Sequence, residues 1–310
     1  MEDNLDTIGK ALTEMARGEL TDLSSLLATA CTHDINENKI DCYYLKVDPN
    51  GRPRLNELIK YMCMKITDYT IPRSRINKAK KKFIDTGCAD DVTKIALDAR
   101  KLFTKLELTG EGGELLLFAL TESILKFPQV LCKMSLKSDE QMHFHGADGV
   151  FLGVDDDDML CVYWGESKLH ATHSSAISEC VTSIASILKM EPDVDSDIRL
   201  IDYIDLDNSS LEGAIKNYFD FTSPRYDQLR SCAVCLVSFD HSSYEKSDTK
   251  LTNENIRMKI ESDFLKYWKK NIESKLKEHD IEHTKIIFFY LPINSVDSFR
   301  DTFRTELGLK

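Results

Sequence analysis

The sequence predicts an α/β fold in which helices flank a mixed sheet on both faces. Short and continuously apolar runs, such as Cys232–Phe239 (CAVCLVSF) and Lys285–Leu291 (KIIFFYL), have the length and composition of buried strands. The segments between such runs carry apolar residues at every third or fourth position, as amphipathic helices do. With 310 residues, the chain can form one large domain or two smaller ones, each with its own core.

The N-terminal region, residues 1–106, is predicted to be mainly helical with one short strand. Ile40–Val47 (IDCYYLKV) is typical of a strand, and the turn-forming stretch DPNGRPR follows it directly. Helical periodicity then predicts three helices, at Leu55–Thr67, Asn77–Phe83 and Asp91–Leu106. A second domain is expected over residues 107–310, although no strong linker marks the boundary.

The second domain is predicted to begin with a helix, three strands, a helix and a further strand. These elements are, in chain order, Gly110–Lys126, Val130–Leu136, Asp148–Val154, Met159–Leu169, His170–Leu188 and Cys232–Phe239. A long amphipathic helix, Asn255–His279, then precedes the strand Lys285–Leu291. Together with a final amphipathic helix, Ser295–Leu307, these two elements form a C-terminal extension of the second domain.

Composition limits the class of protein. The chain has no apolar run long enough to span a membrane and no secretory h-region at its start. Nine scattered cysteines, an odd number, favour reduced thiols and therefore a cytoplasmic protein without membrane association. The net charge of −12 argues against a tight and autonomous DNA-binding module, because binding to phosphates needs a basic surface.

The strongest functional signal lies at the end of the predicted strand Met159–Leu169. Glu166 and Lys168 close its apolar run, and residues two apart on a strand share one face. Burying these charges is costly unless they are paired or bind a ligand. Asp148, in the turn HGADGV, opens the preceding strand. An isolated Glu-x-Lys is often only a solvated strand edge, but the neighbouring acid favours a site.

This set of side chains suits the hydrolysis of phosphodiesters. Magnesium binds carboxylate oxygens together with several waters, and a nearby lysine can orient the attacking water and stabilise negative charge. Two further acids, Glu111 and Glu114, lie one turn apart on the predicted helix before the strands. We therefore expect a Mg²⁺ or Mn²⁺ site, in which Glu166 is a metal ligand rather than only an ion-pair partner of Lys168.

Asp…Glu-x-Lys after a glutamate-bearing helix resembles the PD-(D/E)XK nuclease core, whose αβββαβ order matches the predicted elements. More narrowly, several segments together resemble the HamA family, the effector subunits of the Hachiman anti-phage system. The resemblance extends from about residue 40 onward. The segments that carry it are Tyr69–Arg75 (YTIPRSR), Gly110–Leu120 (GEGGELLLFAL), His143–Val150 (HFHGADGV), Tyr163–His170 (YWGESKLH) and Ile286–Ile293 (IIFFYLPI).

The resemblance implies a metal-dependent DNA nuclease that works with a superfamily-2 helicase, HamB. It puts Asp148, Glu166 and Lys168 in the catalytic positions. Glu114 is the preferred helix acid, and with Asp148 and Glu166 it would hold the metal, whereas Glu111 is the reserve. The proline that usually precedes the first aspartate is absent, and Ala147 takes its place.

Other residues are candidates for supporting roles. His145, beside the Asp148 turn, could line the metal site or position the water. The four aspartates of Asp155–Asp158 are expected to form a solvated hairpin tip. A basic stretch without acids is the best candidate for contacts with DNA phosphates, with a solvated helix face as the alternative. Its residues are Arg73, Arg75, Lys78, Lys80, Lys81 and Lys82.

Two other functions stay open at this point. A stand-alone restriction-type endonuclease would use the same residues without a helicase. A catalytically silent subunit would keep the nuclease fold and only bind DNA or the helicase, although the intact Asp148, Glu166 and Lys168 argue against it.

Overall fold

A six-stranded mixed sheet forms the centre of the computed structural model, which describes residues 4–104, 110–132, 146–189, 204–245 and 250–309. The fold class predicted from sequence is confirmed, because helices flank this sheet and the N-terminal part is largely helical. The strands are β1 (Leu27–Ile35), β2 (Asn38–Leu45), β3 (Gly149–Val154), β4 (Leu160–His170), β5 (Leu229–Asp240) and β6 (Ile286–Ile293).

The strand order is β1-β2-β6-β5-β4-β3. Strands β2, β6, β5 and β4 are parallel to one another, whereas β1 pairs antiparallel with β2 at one edge and β3 pairs antiparallel with β4 at the other. The carboxyl ends of the four parallel strands therefore lie together at one end of the sheet. Ligand sites of open α/β sheets lie at this carboxyl end.

The helices connect the strands and cover them. They are α1 (Leu5–Met15), α2 (Leu20–Ser24), α3 (Leu55–Met64), α4 (Ile66–Thr70), α5 (Arg73–Thr86), α6 (Asp90–Thr104), α7 (Glu111–Leu120), α8 (His173–Leu188), α9 (Ser209–Phe219), α10 (Asn253–Asp263), α11 (Lys269–Glu278) and α12 (Val296–Glu306). None of the helices in the described part of the chain combines the length and the hydropathy needed to cross a membrane.

The N-terminal region contains a β-hairpin where one short strand was expected. β1 was not predicted, because its buried residues in LATACTHDI, Leu27, Ala30 and Ile35, do not recur at every second position as in a half-buried strand. The hairpin turns at Asn36, which has a φ of 52°. Asparagine adopts such a positive φ more readily than most residues. Since β2 pairs with β6, strands from both predicted domains lie in one sheet. The boundary at residues 106 and 107 stays a prediction.

Apart from shifts of a few residues at their ends, the remaining predicted elements match the structure with three differences, whereas α1, α2 and α9 were not predicted as separate elements. The predicted helix Gly110–Lys126 ends as a π-helical turn, Thr121–Leu125, and a second such turn, Phe264–Trp268, interrupts the predicted helix Asn255–His279. The predicted strand Val130–Leu136 is only partly described, and its described residues, 130–132, form no strand. Gln129, which precedes them, forms an isolated bridge with Phe151. Residues 133–136 lie outside the described residues.

The turn between β3 and β4 fixes the register of these two strands, and Asp155 organises it. One carboxylate oxygen, Oδ1, accepts hydrogen bonds from the amides of Asp157 and Met159, both at 3.0 Å. The other, Oδ2, lies 2.7 Å from the guanidinium of Arg230 and 3.4 Å from Nζ of Lys285. The expectation of a solvated tip is therefore wrong for Asp155, which is buried.

We expect Asp155→Ala to destabilise the fold by about 2–3 kcal/mol, because Lys285 loses its carboxylate partner, Arg230 keeps only Asp157, and the turn loses its hydrogen bonds. Asp156→Ala, at the exposed neighbouring position, is the matched control and should change the free energy of unfolding by less than about 0.5 kcal/mol. Urea denaturation measures both. Equal losses in the two variants would contradict this role of Asp155.

The contribution of Asp155 should also depend on pH. Burial alone would raise the pKa of this carboxyl, but hydrogen bonds from Met159 and Cys161 and the charges of Lys285 and Arg230 outweigh it, so the pKa is lowered. A lowered pKa stabilises the fold above the unfolded-state value near 4, and the gain is lost as the pH falls below it. The difference in stability between the parent chain and Asp155→Ala should therefore shrink in acid.

Candidate active site

The pairing of β3 with β4 brings Asp148 beside Glu166. Gly149 lies opposite Gly165, and the amide of Asp148 continues the ladder with a 2.8 Å hydrogen bond to the carbonyl of Gly165. The ring of Phe151 occupies the space beside both glycines, so a Cβ atom at Gly165 would lie 3.0 Å from it. Side chains larger than hydrogen would therefore disturb the pairing that places the two acids.

Ser167 holds the carboxylate of Asp148 in one orientation. Its backbone amide and its hydroxyl both donate to Oδ2 of Asp148, each at 2.8 Å. The residue between the glutamate and the lysine of the Glu-x-Lys motif therefore has a structural task of its own. The sequence did not single out Ser167, because its role depends on the neighbouring strand.

Glu166 is a buried carboxylate with only one of its oxygens satisfied. The residue is 1 % exposed, and its Oε1 lies 2.5 Å from Nζ of Lys168. The structure thus contains an ion pair between Glu166 and Lys168, although the sequence favoured a metal contact for Glu166. The second oxygen, Oε2, is buried and has no hydrogen-bond partner among the residues that the structure describes. Such an oxygen is costly unless a ligand or water completes it.

Lys168 carries a positive charge at neutral pH. Burial alone would lower its pKa, but the hydrogen bond and charge of Glu166 and the charge of Asp148 outweigh burial and raise it. The ammonium therefore neutralises part of the negative charge that the two carboxylates bring to this end of β4.

Helix α7 approaches β4 from the face that bears Ser167. A Cβ atom at Gly113 would lie 2.8 Å from Leu169 and 3.0 Å from the hydroxyl of Ser167, so glycine permits this close packing. Glu166 and Lys168 alternate with Ser167 along the strand and point to the opposite face. Glu114 of α7 therefore reaches the site from the Ser167 face and not from the face of Glu166.

Glu114 is connected to the site through Tyr69. The buried Tyr69 hydroxyl donates a 2.7 Å hydrogen bond to Oε2 of Glu114. The pKa of Tyr69 is raised well above its ordinary value. The causes, in order, are burial, the charge and hydrogen bond of Glu114, and the charge of Asp148. Glu111 is more buried, and its carboxylate accepts a 3.2 Å hydrogen bond from the amide of Gly110. Tyr69 is thus a second residue that sequence reasoning missed.

The donor set fits a divalent cation only in part. Within the described ranges, no group of three or more His, Cys, Asp or Glu side chains is arranged to hold a metal ion. Asp148 and Glu166 form a pair, and Mg²⁺ is commonly bound by one or two carboxylates together with waters and substrate phosphates. The unsatisfied Oε2 of Glu166 is consistent with such a ligand. His145 lies outside the described residues.

The predicted basic stretch forms part of α5, and neighbouring acids neutralise a portion of it. Arg75 pairs with Asp98 at 2.5 Å, and Lys82 pairs with Asp91 at 2.7 Å. Arg73 is half-buried, and burial together with the charge of Arg17 lowers its pKa. The candidates for phosphate contact that are exposed and form no ion pair with another described residue are Lys78, Lys80 and Lys81.

A double-mutant cycle should reveal strong coupling between Glu166 and Lys168. Removing the ammonium with Lys168→Met leaves a buried carboxylate without its partner, so we expect a coupling energy with Glu166→Gln of roughly 1–3 kcal/mol. The matched control is the pair Lys39 and Asp41, which has the same spacing on β2 with an N–O distance of 3.2 Å.

In the control cycle, Lys39→Met with Asp41→Asn should give a coupling below about 1 kcal/mol. The side chain of Lys39 is 48 % exposed, and Asp41 keeps its hydrogen bond from Thr32. Chemical denaturation measures all variants. A coupling at Glu166 and Lys168 no larger than that of the control would contradict the buried ion pair.

Comparison with known proteins supports the resemblance noted in the sequence. The model of the HamA family matches residues 22–307 of the 310-residue chain. A search of curated proteins gives no match. The family match includes the strands β3 and β4 with Asp148, Glu166 and Lys168, and it covers nearly the whole chain. The chain therefore belongs to the HamA family.

Proposed function

We propose that this chain is the nuclease subunit of an anti-phage defence complex and cleaves DNA under the control of a partner superfamily-2 helicase. Membership of the HamA family supports the role in defence. The observation that carries the proposed chemistry is the buried Oε2 of Glu166, which lacks a partner among the described residues and lies beside the oriented carboxylate of Asp148. A catalytic metal would satisfy this oxygen.

The proposed reaction is hydrolysis of a phosphodiester. A water oxygen forms a bond to phosphorus while one ester oxygen leaves and takes up a proton. Asp148 and Glu166 would hold Mg²⁺ or Mn²⁺ together with waters and the substrate phosphate. When bound, the metal supplies charge neutralisation at the phosphate and lowers the pKa of water. Ser167 keeps Asp148 in the orientation that this arrangement requires.

Lys168 acts as a cation in this proposal. Burial alone would lower its pKa, but the hydrogen bond and charge of Glu166 and the charge of Asp148 raise it, which favours the ammonium over the neutral amine. The ammonium instead orients the attacking water and stabilises the negative charge that develops on the phosphate oxygens. Since Lys168 contacts Glu166 directly, it is held at the position where the metal and the phosphate would meet.

Glu114 is proposed as the third acid, on the side of Asp148. Its hydrogen bond from Tyr69 fixes its direction, and the charge of Asp148 acts on the same tyrosine. Glu111 is the weaker candidate, because its carboxylate already accepts a hydrogen bond at the start of α7.

The net charge and the cysteines support a proposal for how DNA reaches the enzyme and where the enzyme is located. A net charge of −12 opposes tight binding of DNA by the free chain, so we propose that the helicase delivers the substrate and that Lys78, Lys80 and Lys81 assist it. All nine cysteines are free thiols, which supports a location in the cytoplasm.

Cleavage assays with Mg²⁺, with and without the helicase and ATP, test the proposal. Glu166→Ala and Lys168→Ala should each lower the rate of DNA degradation by roughly 100-fold or more, as loss of a group that stabilises developing charge does elsewhere. Asp156→Ala removes an exposed carboxylate from the turn at the far end of the same two strands and should leave the rate unchanged.

Full activity in the double variant Glu166→Ala, Lys168→Ala would overturn the assignment of the site. Cutting at fixed sequences by the chain alone would favour the restriction-type endonuclease. DNA binding without cleavage, with or without the helicase, would favour the catalytically silent subunit.

The choice of helix acid can be tested with two isosteric variants. Glu114→Gln should lower the cleavage rate at limiting Mg²⁺ by about 10-fold or more, since it removes a negative charge from the site. Glu111→Gln should have a smaller effect on the rate, because its amide oxygen can still accept the hydrogen bond from Gly110. The reverse order of effects would assign the role to Glu111.

A further inference from the structure

A pocket of about 210 Å³ opens at the carboxyl end of β4, next to the proposed active site. Three parts of the chain that are distant in sequence line it: the start of α7, the end of β4 and one face of α12. Its lining residues are Gly110, Gly112, Gly113, Ser167, Lys168, Leu169, His170, Phe299, Arg300, Phe303 and Arg304.

The pocket and the proposed active site share two residues. Ser167 lines the pocket and also donates to the carboxylate of Asp148. Lys168 lines the pocket and also forms the ion pair with Glu166. A group bound in the pocket would therefore lie directly beside a substrate held by these carboxylates.

The charge of the pocket contrasts with that of the chain. Among the residues that the structure describes, its lining contains no aspartate or glutamate, although the protein as a whole carries a net charge of −12. Arg300 and Arg304 are four residues apart on α12 and so project from the same face. Acids outside the lining contact some of its residues. Glu166 pairs with Lys168 at 2.5 Å, Asp148 accepts hydrogen bonds from Ser167, and Glu179 lies 2.9 Å from His170.

The two arginines differ in how they are held. The guanidinium of Arg300 donates a 2.9 Å hydrogen bond to the carbonyl of Leu169, which fixes it against the end of β4. It also lies 3.5 Å from the exposed Asp297. Arg304 is exposed and forms no side-chain hydrogen bond or ion pair with any residue that the structure describes. One guanidinium is thus positioned, and the other is available for a ligand.

We propose that Arg300 and Arg304 bind a phosphate group of the DNA strand next to the phosphodiester that is cleaved. Guanidinium groups match phosphate oxygens with paired hydrogen bonds, and a charge of this kind sets the register of a strand without reading its sequence. This inference rests on the proposed function, and it assigns a substrate-positioning role to the last helix of the fold.

DNA binding in metal-free buffer tests the pocket separately from catalysis. The full chain with Glu166→Gln is titrated with a fluorescein-labelled single strand at several salt concentrations, with Arg304 intact or changed to Gln. We expect Arg304→Gln to weaken binding by roughly 5–10-fold and to reduce the salt slope of the binding constant by about one. Lys277→Gln is the charge-matched control, because this exposed residue lies at the end of α11, shortly before the start of β6 and therefore away from the carboxyl ends of the parallel strands.

Equal effects of Arg304→Gln and Lys277→Gln, or an unchanged salt slope, would overturn the proposal. The proposal would also be overturned if polyglutamate bound as tightly as DNA and lost the same affinity in Arg304→Gln, because the pocket would then accept any polyanion. Thermal unfolding shows whether either variant is misfolded, and Arg304→Lys should restore part of the affinity. Since no metal is present, loss of binding in Arg304→Gln supports the pocket even if the parent chain proves not to cleave DNA.

Discussion

The antiparallel pairing of β3 and β4 is the constraint on which the rest of the site depends. It places the turn residue Asp148 opposite the end of a buried strand, and the bond from its amide to Gly165 extends the ladder as far as Glu166. A buried carboxylate without compensation would be costly there, and Lys168 supplies only one contact. The strand pairing thus brings two carboxylates together at a buried position, where a bound cation would neutralise their negative charge.

Local patterns in the sequence predict most strands of the sheet, and they single out Glu166 and Lys168, which the structure places beside Asp148. Continuous apolar runs mark β5 and β6, and the interruption of such a run marks Glu166 and Lys168. Features that depend on distant partners could not be predicted in this way. β1 has a mixed burial pattern that only its pairing with β2 explains, and Tyr69 meets Glu114 across 45 residues. The same holds for the ion pairs that bury Asp155.

Charge is distributed unevenly in this acidic protein. The carboxylates of Asp148 and Glu166 lie near one ammonium, while two arginines of α12 line the adjacent pocket, in which none of the described lining residues is an acid. On α5, by contrast, acids of α6 neutralise part of the basic stretch. An overall negative field with a small positive region at one edge favours selective contact with a phosphate chain that is already held nearby. It does not favour capture of DNA from free solution.

The position of β6 has a consequence for the protein while it is being made. This strand is the last of the six in the chain, yet it lies between β2 and β5 in the middle of the sheet. On a translating ribosome, β1 and β2 emerge early but cannot join β5 until residues 286–293 have left the exit tunnel. α12, which follows β6, is available later still. Incomplete chains therefore lack the strand that unites the sheet, so a half-made product cannot assemble the edge where the carboxylates and arginines meet.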